Sequence, residues 1–275
     1  MSRKYKIVFL DIDGTLVDSK KEILPRTYNA LMKLQEDGVK LAIASGRPEK
    51  GVKPFAEKLK LAEYGGYIMP FNGCRIINCR TNELVFENAL SMETLRKAYN
   101  LSKKYNIEMI TYKGDYILAE NNTDKYILIE STINKMDILK VDNTIDAVED
   151  NPVKCLLVGD GDYLGSIESK IWEEIGKENA NVFRSEPFFI EVVPCGLDKA
   201  AAINELISKT GILQEETIAF GDGYNDVSMI KYAGLGVAMA NGCDLIKSSS
   251  DIITSDNDHD GIAEVIERLY MENRI

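Results

Sequence analysis

Lys6-Ile-Val-Phe-Leu-Asp11-Ile-Asp13-Gly-Thr15 decides the fold. The run Lys6 to Leu10 is apolar at every position after the lysine and stops at two aspartates and a glycine. That pattern reads as a strand buried on both faces, as in a parallel sheet, delivering an acidic loop at its carboxyl end.

The chain on either side fits a parallel sheet with crossover helices. A helical pattern is predicted from about Pro25 to Asp37, with Ala30, Leu31 and Leu34 on one face, and Gly38 punctuates it. Val39 to Ala44 reads as a second buried strand. Ser45-Gly46-Arg47-Pro48 then turns into another helix, with Pro48 suited to its first position. Beyond Asn72 the texture changes. Arg75 to Asn78 and Leu84 to Glu87 look like paired strands, Ser91 to Tyr105 like a polar helix, and Glu108 to Tyr112 and Tyr116 to Ala119 like strands around a Gly114-Asp115 turn. From Phe188 the first texture returns. Phe188 to Pro194 reads as a strand, Asp198 to Lys209 as a helix, Thr217 to Phe220 as a strand ending in Gly221-Asp222, and Asp258 to Tyr270 as a closing helix. The expected fold class is α/β: a Rossmann-like, doubly wound parallel-sheet core over 1–83 and 190–275, interrupted by an inserted α+β domain over 84–189.

Composition narrows the function. The chain has 275 residues, 45% hydrophobic and 28% charged, enough for a core without staples. Its 33 basic and 44 acidic residues give a net charge of −11, so neither nucleic acid nor an anionic membrane surface is an expected partner. No apolar run approaches the length of about 18 residues that spans a bilayer. The basic start is not followed by a secretory apolar region, and the five scattered cysteines look like reduced thiols, so a cytoplasmic location is expected. A single histidine, His259, makes His-rich zinc sites and two-His schemes unavailable.

The ends of three candidate parallel strands carry the polar groups: Asp11 and Asp13, Ser45-Gly46, and Gly221-Asp222-Gly-Tyr-Asn225-Asp226. Ligands of open α/β sheets bind outside such ends, and these groups meet if the strands are neighbours. Asp11, Asp13, Asp222 and Asp226 would bring up to four carboxylates together, and a hard divalent cation such as Mg²⁺ would relieve their repulsion. Ser45 and backbone N–H groups at a helix start would cradle phosphate oxygens. Lys199 would add a positive charge and Asn225 an amide N–H. Asp11 then suits a nucleophile that forms an aspartyl-phosphate. Asp13, two residues on and facing the same side of an extended segment, suits the general acid and base.

Asp11-Ile-Asp13-Gly-Thr-Leu16, Ser45-Gly46-Arg47, Lys199 and Gly221-Asp222-Gly-Tyr-Asn225-Asp226, in that order, resemble the haloacid dehalogenase superfamily. The long insert, with Phe71-Asn72-Gly73 before it and Glu191-Val-Val-Pro-Cys-Gly-Leu-Asp-Lys199 after it, is similar to the Cof-type branch. The resemblance implies a phosphatase of small phosphorylated metabolites such as sugar phosphates, with the insert as a cap that chooses the substrate. It implies Mg²⁺ on the Asp11 carboxylate, the Asp13 carbonyl and Asp222, with Asp226 in support. Ser45, Gly46, Lys199, Asn225 and the Ile12 N–H would hold the phosphoryl group. Cys195 stands where the branch often has lysine. A phosphomutase is the neighbouring alternative.

One pattern points elsewhere. Asp256-Asn-Asp258-His-Asp260-Gly261, closed by Glu267, fits the EF-hand calcium loop letter for letter and would make a calcium-binding regulatory protein. That motif needs a preceding helix. Asp251 to Thr254 reads as a strand, so a polar turn capping the last helix is the expectation.

Overall fold

The computed structural model describes residues 5–275. In chain order the first elements are β1 (Ile7–Leu10), α1 (Pro25–Glu36), β2 (Lys40–Ala44), α2 (Glu49–Lys58), α3 (Leu61–Tyr64), β3 (Tyr67–Met69), β4 (Arg75–Asn78) and β5 (Leu84–Glu87). Then come α4 (Met92–Lys104), β6 (Glu108–Lys113), β7 (Tyr116–Ala119), α5 (Lys125–Asn134), β8 (Asp137–Lys140), β9 (Cys155–Val158), α6 (Gly161–Ile175), β10 (Ala180–Glu186) and β11 (Phe189–Pro194). The chain closes with α7 (Lys199–Thr210), β12 (Thr217–Gly221), α8 (Val227–Tyr232), β13 (Leu235–Met239), α9 (Asp244–Ser249), β14 (Ile252–Thr254) and α10 (Gly261–Met271). It divides into two compact units, one holding the chain up to Phe86 and from Leu197 on, the other Glu87–Gly196.

The first unit is built on an eight-stranded sheet, β14-β13-β12-β1-β2-β3-β4-β5. From β14 to β3 it is parallel, and β4 turns back against β3. β1 lies between β12 and β2, and Leu10 is level with both Phe220 and Ile43. The three polar loops therefore leave neighbouring strands at the same height, the condition for their convergence.

Alternate strand residues feed two cores, which makes the sheet doubly wound. Val8, Leu10, Leu41, Ile43 and Phe220 pack with Leu31 and Leu34 of α1, Val52 of α2 and Ile266 of α10. Ile7, Phe9, Ala42 and Ala219 pack with Ile203 and Leu206 of α7, Met229 of α8 and Ile246 of α9. Burial of each large aliphatic side chain contributes roughly 1.5–3 kcal/mol, so β1, with all four residues buried, is firmly held. Pro48, expected at the first turn of α2, is its N-cap residue instead.

The second unit carries a six-stranded sheet, β10-β11-β9-β6-β7-β8, antiparallel except where β8 joins β7. Leu95 and Leu101 of α4 and Leu164 and Ile171 of α6 cover one face, against Met109, Leu157, Ile190 and Val192. Ile127 of α5 meets Ile110, Leu156 and Phe189 on the other. This is the expected α+β texture, with two shifts at its edges. The strand Phe189–Pro194 pairs with β9 and β10 in this sheet rather than opening the return to the first unit, and Leu84–Glu87 ends the first sheet. β11 is buried at all six positions, so it mimics a parallel-core strand in sequence.

Candidate active site

Asp11 follows β1 directly. Its N–H donates to the Phe220 carbonyl of β12 at 3.1 Å, which extends the ladder by one rung and fixes the side chain at the sheet's carboxyl edge. The next residues form a tight turn, with Leu16 and Val17 N–H groups donating to the Ile12 carbonyl. Gly14 has φ +77°, and a Cβ there would lie 2.3 Å from Asp222 Oδ2. Only glycine allows the β1 and β12 loops to approach this closely.

Lys199 is the first residue of α7 and is fully buried. A cation at a helix N-terminus opposes the helix dipole. Asp198 caps the helix by accepting from Ala201 N–H, and the carboxylates ahead hold the lysine. Lys199 Nζ donates to Asp11 Oδ1 at 2.6 Å and to Asp226 Oδ1 at 2.5 Å. Asp226 Oδ2 accepts from the N–H groups of Asp222 and Gly223, at 3.1 and 2.9 Å. Both Asp226 oxygens are therefore occupied in organising the loop. Asp222 Oδ1 accepts from Thr15 Oγ1 at 2.8 Å.

Three of the four aspartates converge. Asp11, Asp222 and Asp226 each place an oxygen within 4.8 Å of the others. Asp13 turns its carboxylate to Arg47 and Lys21, so of the up to four carboxylates expected to meet, three do. Burial, and then the Asp226 charge, push Asp11 up to about 8 against the pull of Lys199. Burial pushes Asp222 up to about 6, opposed by the Thr15 hydroxyl. For Lys199, burial is outweighed by Asp11 and Asp226, and the ammonium stays charged well above neutrality. For Asp13, burial is outweighed by Arg47 and Lys21, which hold it below the usual carboxylate range. Three carboxylates against one ammonium leave the cluster short of positive charge. An all-oxygen donor set of this kind fits a hard divalent cation.

The remaining expected residues surround Asn72. Asn72 N–H donates to the Ser45 carbonyl at 2.8 Å, its Oδ1 accepts from Asn225 Nδ2 at 3.0 Å, and a Cβ on Gly46 would touch its amide at 3.4 Å. Ser45 is buried, and its Oγ accepts from Arg47 N–H. Ile12 sits in the core between the two aspartates. The sequence reading gave no role to Thr15, Lys21, Arg47 or Asn72. Thr15, Arg47 and Asn72 stood inside quoted motifs, whereas Lys21 carried no signal.

The calcium-like loop is committed to structure. It follows β14 rather than a helix. Asp256 accepts from Asp258 N–H, Asp258 from Ser19 N–H, Asp260 from Thr27 N–H and Oγ1, and Glu267 pairs with Arg26. Asp258, Asp260 and Glu267 thereby tie the turn and α10 to Ser19 and to α1, while the bond of Asp256 is local to the turn. Among the described residues no helix is long and apolar enough to cross a membrane.

A family profile described as haloacid dehalogenase-like hydrolase matches residues 8–266. A haloacid dehalogenase-like hydrolase from Bacteroides thetaiotaomicron has a solved structure 44% identical, with TM-score 0.92 over 97% of this chain and 100% of its own. A subclass IIB sugar phosphatase of that superfamily is 26% identical with TM-score 0.81, over 97% and 99% of the two chains. The 5-amino-6-(5-phospho-D-ribitylamino)uracil phosphatase of Bacillus subtilis is 30% identical, over 95% of this chain and 94% of its own. With its acidic β1 loop, its buried lysine and its acidic β12 loop in one place, this chain belongs to the haloacid dehalogenase-like hydrolases, in the Cof-type branch, and is a phosphatase of that family.

Proposed function

We propose that the protein hydrolyses small phosphomonoesters, sugar phosphates or similar polyol phosphates, through an aspartyl-phosphate on Asp11. The observation that carries this is the Asp11 carboxylate, almost fully buried, bonded to a buried ammonium and facing Asp222 at the carboxyl edge of a parallel sheet. Mg²⁺ would be held by the Asp11 and Asp222 carboxylates with the Asp13 carbonyl, Asp226 steadying the loop. When bound it would supply positive charge that keeps Asp11 ionised and offsets charge on the phosphoryl oxygens.

An Asp11 oxygen attacks phosphorus, and the bond from phosphorus to the ester oxygen breaks with its electron pair on that oxygen. Asp13 acts here in its protonated form and gives that proton to the ester oxygen, so the alcohol leaves. Asp13 then takes a proton from a water whose oxygen attacks the aspartyl-phosphate. The bond between phosphorus and Asp11 breaks, returning the carboxylate and releasing inorganic phosphate. Lys199, Ser45, Gly46, Asn225 and the Ile12 N–H would hold the phosphoryl oxygens. The inserted unit would choose the substrate. The activities of two relatives, a sugar phosphatase and a phosphatase of a phosphoribityl compound, support a polyol-linked phosphate as substrate class.

The test is a screen of phosphorylated metabolites with and without Mg²⁺, with product analysis. Free phosphate, lost on chelation and in Asp11→Asn, is expected. An isomeric sugar phosphate would mean a mutase instead, and normal turnover by Asp11→Asn would reject the nucleophile.

A further inference from the structure

Asp13 leaves the acidic cluster, and both of its oxygens are taken. Arg47 Nε donates to Oδ2 at 2.7 Å and Arg47 Nη2 to Oδ1 at 2.8 Å, a two-pronged fork. Lys21 Nζ adds a third bond, to Oδ1, at 2.7 Å. Arg47 is itself anchored. Its side chain is only 15% exposed, and its guanidinium lies over the Phe55 ring, 5.5 Å from the centroid. Its N–H donates to Ser45 Oγ and its carbonyl accepts from Phe71 N–H. Lys21 is 60% exposed, in a turn whose backbone bonds to Asp18.

We propose that Arg47 is a positioning residue for Asp13, its fork fixing the plane of the carboxylate that serves the ester oxygen. This rests on the acid and base role given to Asp13 above. The physical case is one of freedom. The Asp13 side chain is 41% exposed, and two side-chain rotations would otherwise leave its oxygens unplaced. A planar guanidinium bonded to both oxygens removes that freedom, which a single ammonium cannot do. The donors also make the oxygens unequal. Oδ1 receives two donors and Oδ2 one, so Oδ2 has the room to carry the proton that the leaving oxygen takes. Misplacing a catalytic group by about 1 Å costs on the order of a hundredfold in rate.

The experiment uses the full chain with Mg²⁺ and two substrates, 4-nitrophenyl phosphate and glycerol phosphate. Nitrophenolate leaves without a proton, whereas an alkoxide does not. kcat/KM is measured for Asp13→Asn, Arg47→Met, Arg47→Lys and the double variant Asp13→Asn with Arg47→Met. Arg47→Met is expected to lose at least tenfold more on the alkyl ester than on the nitrophenyl ester, which also reports that it folds. It is expected to add little to Asp13→Asn, and Arg47→Lys to recover only part of the loss. Equal losses on both esters, or a full additional loss in the double variant, would overturn the proposal and place Arg47 on the phosphoryl group or the fold. If Asp13→Asn itself lacks the leaving-group dependence, the Asp13 role falls and this inference with it. If only Arg47→Met lacks it, the inference alone falls.

Discussion

Asp11→Asn should abolish turnover and, without metal, stabilise the protein. In the native state Asp11 sits at about 8, against 3.8 for the free side chain. Between those values the native state keeps a proton that the unfolded chain has shed, so stability falls as pH rises. At pH 7 that is about three units at about 1.4 kcal/mol each, roughly 4 kcal/mol of native-state cost. Asparagine carries no such charge in either state. Urea denaturation in chelator, from pH 4 to 8.5, should show the two proteins nearly equal at the acid end. The variant should then pull ahead by several kcal/mol near pH 8. Saturating Mg²⁺ should close the gap from the wild-type side, by about 2.7 kcal/mol at a hundred times its Kd. A variant less stable than wild type at pH 8 in chelator, or a gap that ignores pH, would refute the reasoning. The carboxyl would then be stabilised by Lys199 more than it is opposed by burial and Asp226.

Lys199→Met leaves Asp11 and Asp226 buried without the cation between them, and should cost about 3–5 kcal/mol at pH 7 in urea denaturation. Gly14→Ala meets both a positive φ and Asp222 Oδ2 at 2.3 Å, and should cost about 1–3 kcal/mol along with most of the Mg²⁺-dependent activity. His259, the only histidine, gives a single NMR titration curve. Its bond and charge pairing with Asp256 raise it above the ordinary 6.5, so the curve should move down in Asp256→Ala. Its stabilising contribution is complete below 6.5 and disappears as pH climbs through the raised value.

The first strand and its loop were legible because their signal is local: four consecutive apolar residues, then carboxylates two apart. The helix α1 was legible from periodicity, whereas the short α8 and α9, of six residues each, carried no such signal. Strand order was not, because the pairing of Leu10 with Phe220 joins residues far apart in sequence. The end of the insert was misplaced for a related reason. Glu191 breaks the apolar run of β11, but it is buried against Lys154 at 3.1 Å, a partner 37 residues away. With that pair invisible, Phe189–Pro194 passes for a strand of the parallel core.

The same limit separates naming a carboxylate from knowing what its oxygens do. Sequence spacing offered eight aspartates and glutamates in two sets as ligands: Asp11, Asp13, Asp222 and Asp226 in one, and Asp256, Asp258, Asp260 and Glu267 in the other. Long-range hydrogen bonds divide them. In the second set Asp258, Asp260 and Glu267 bind Ser19, Thr27 and Arg26, and Asp256 closes the turn on Asp258 N–H. In the first set Asp226 uses both oxygens on Lys199 and two backbone N–H groups, and Asp13 uses both on Arg47 and Lys21. Asp11 and Asp222 each have one oxygen bonded to a side chain and the other without such a bond among those described. A cation needs oxygen atoms with acceptor capacity, not acidic residues as such, and by that criterion the proposed Mg²⁺ would rest on these two side chains. Desolvation pushes both upward, and that push is what an ion would oppose.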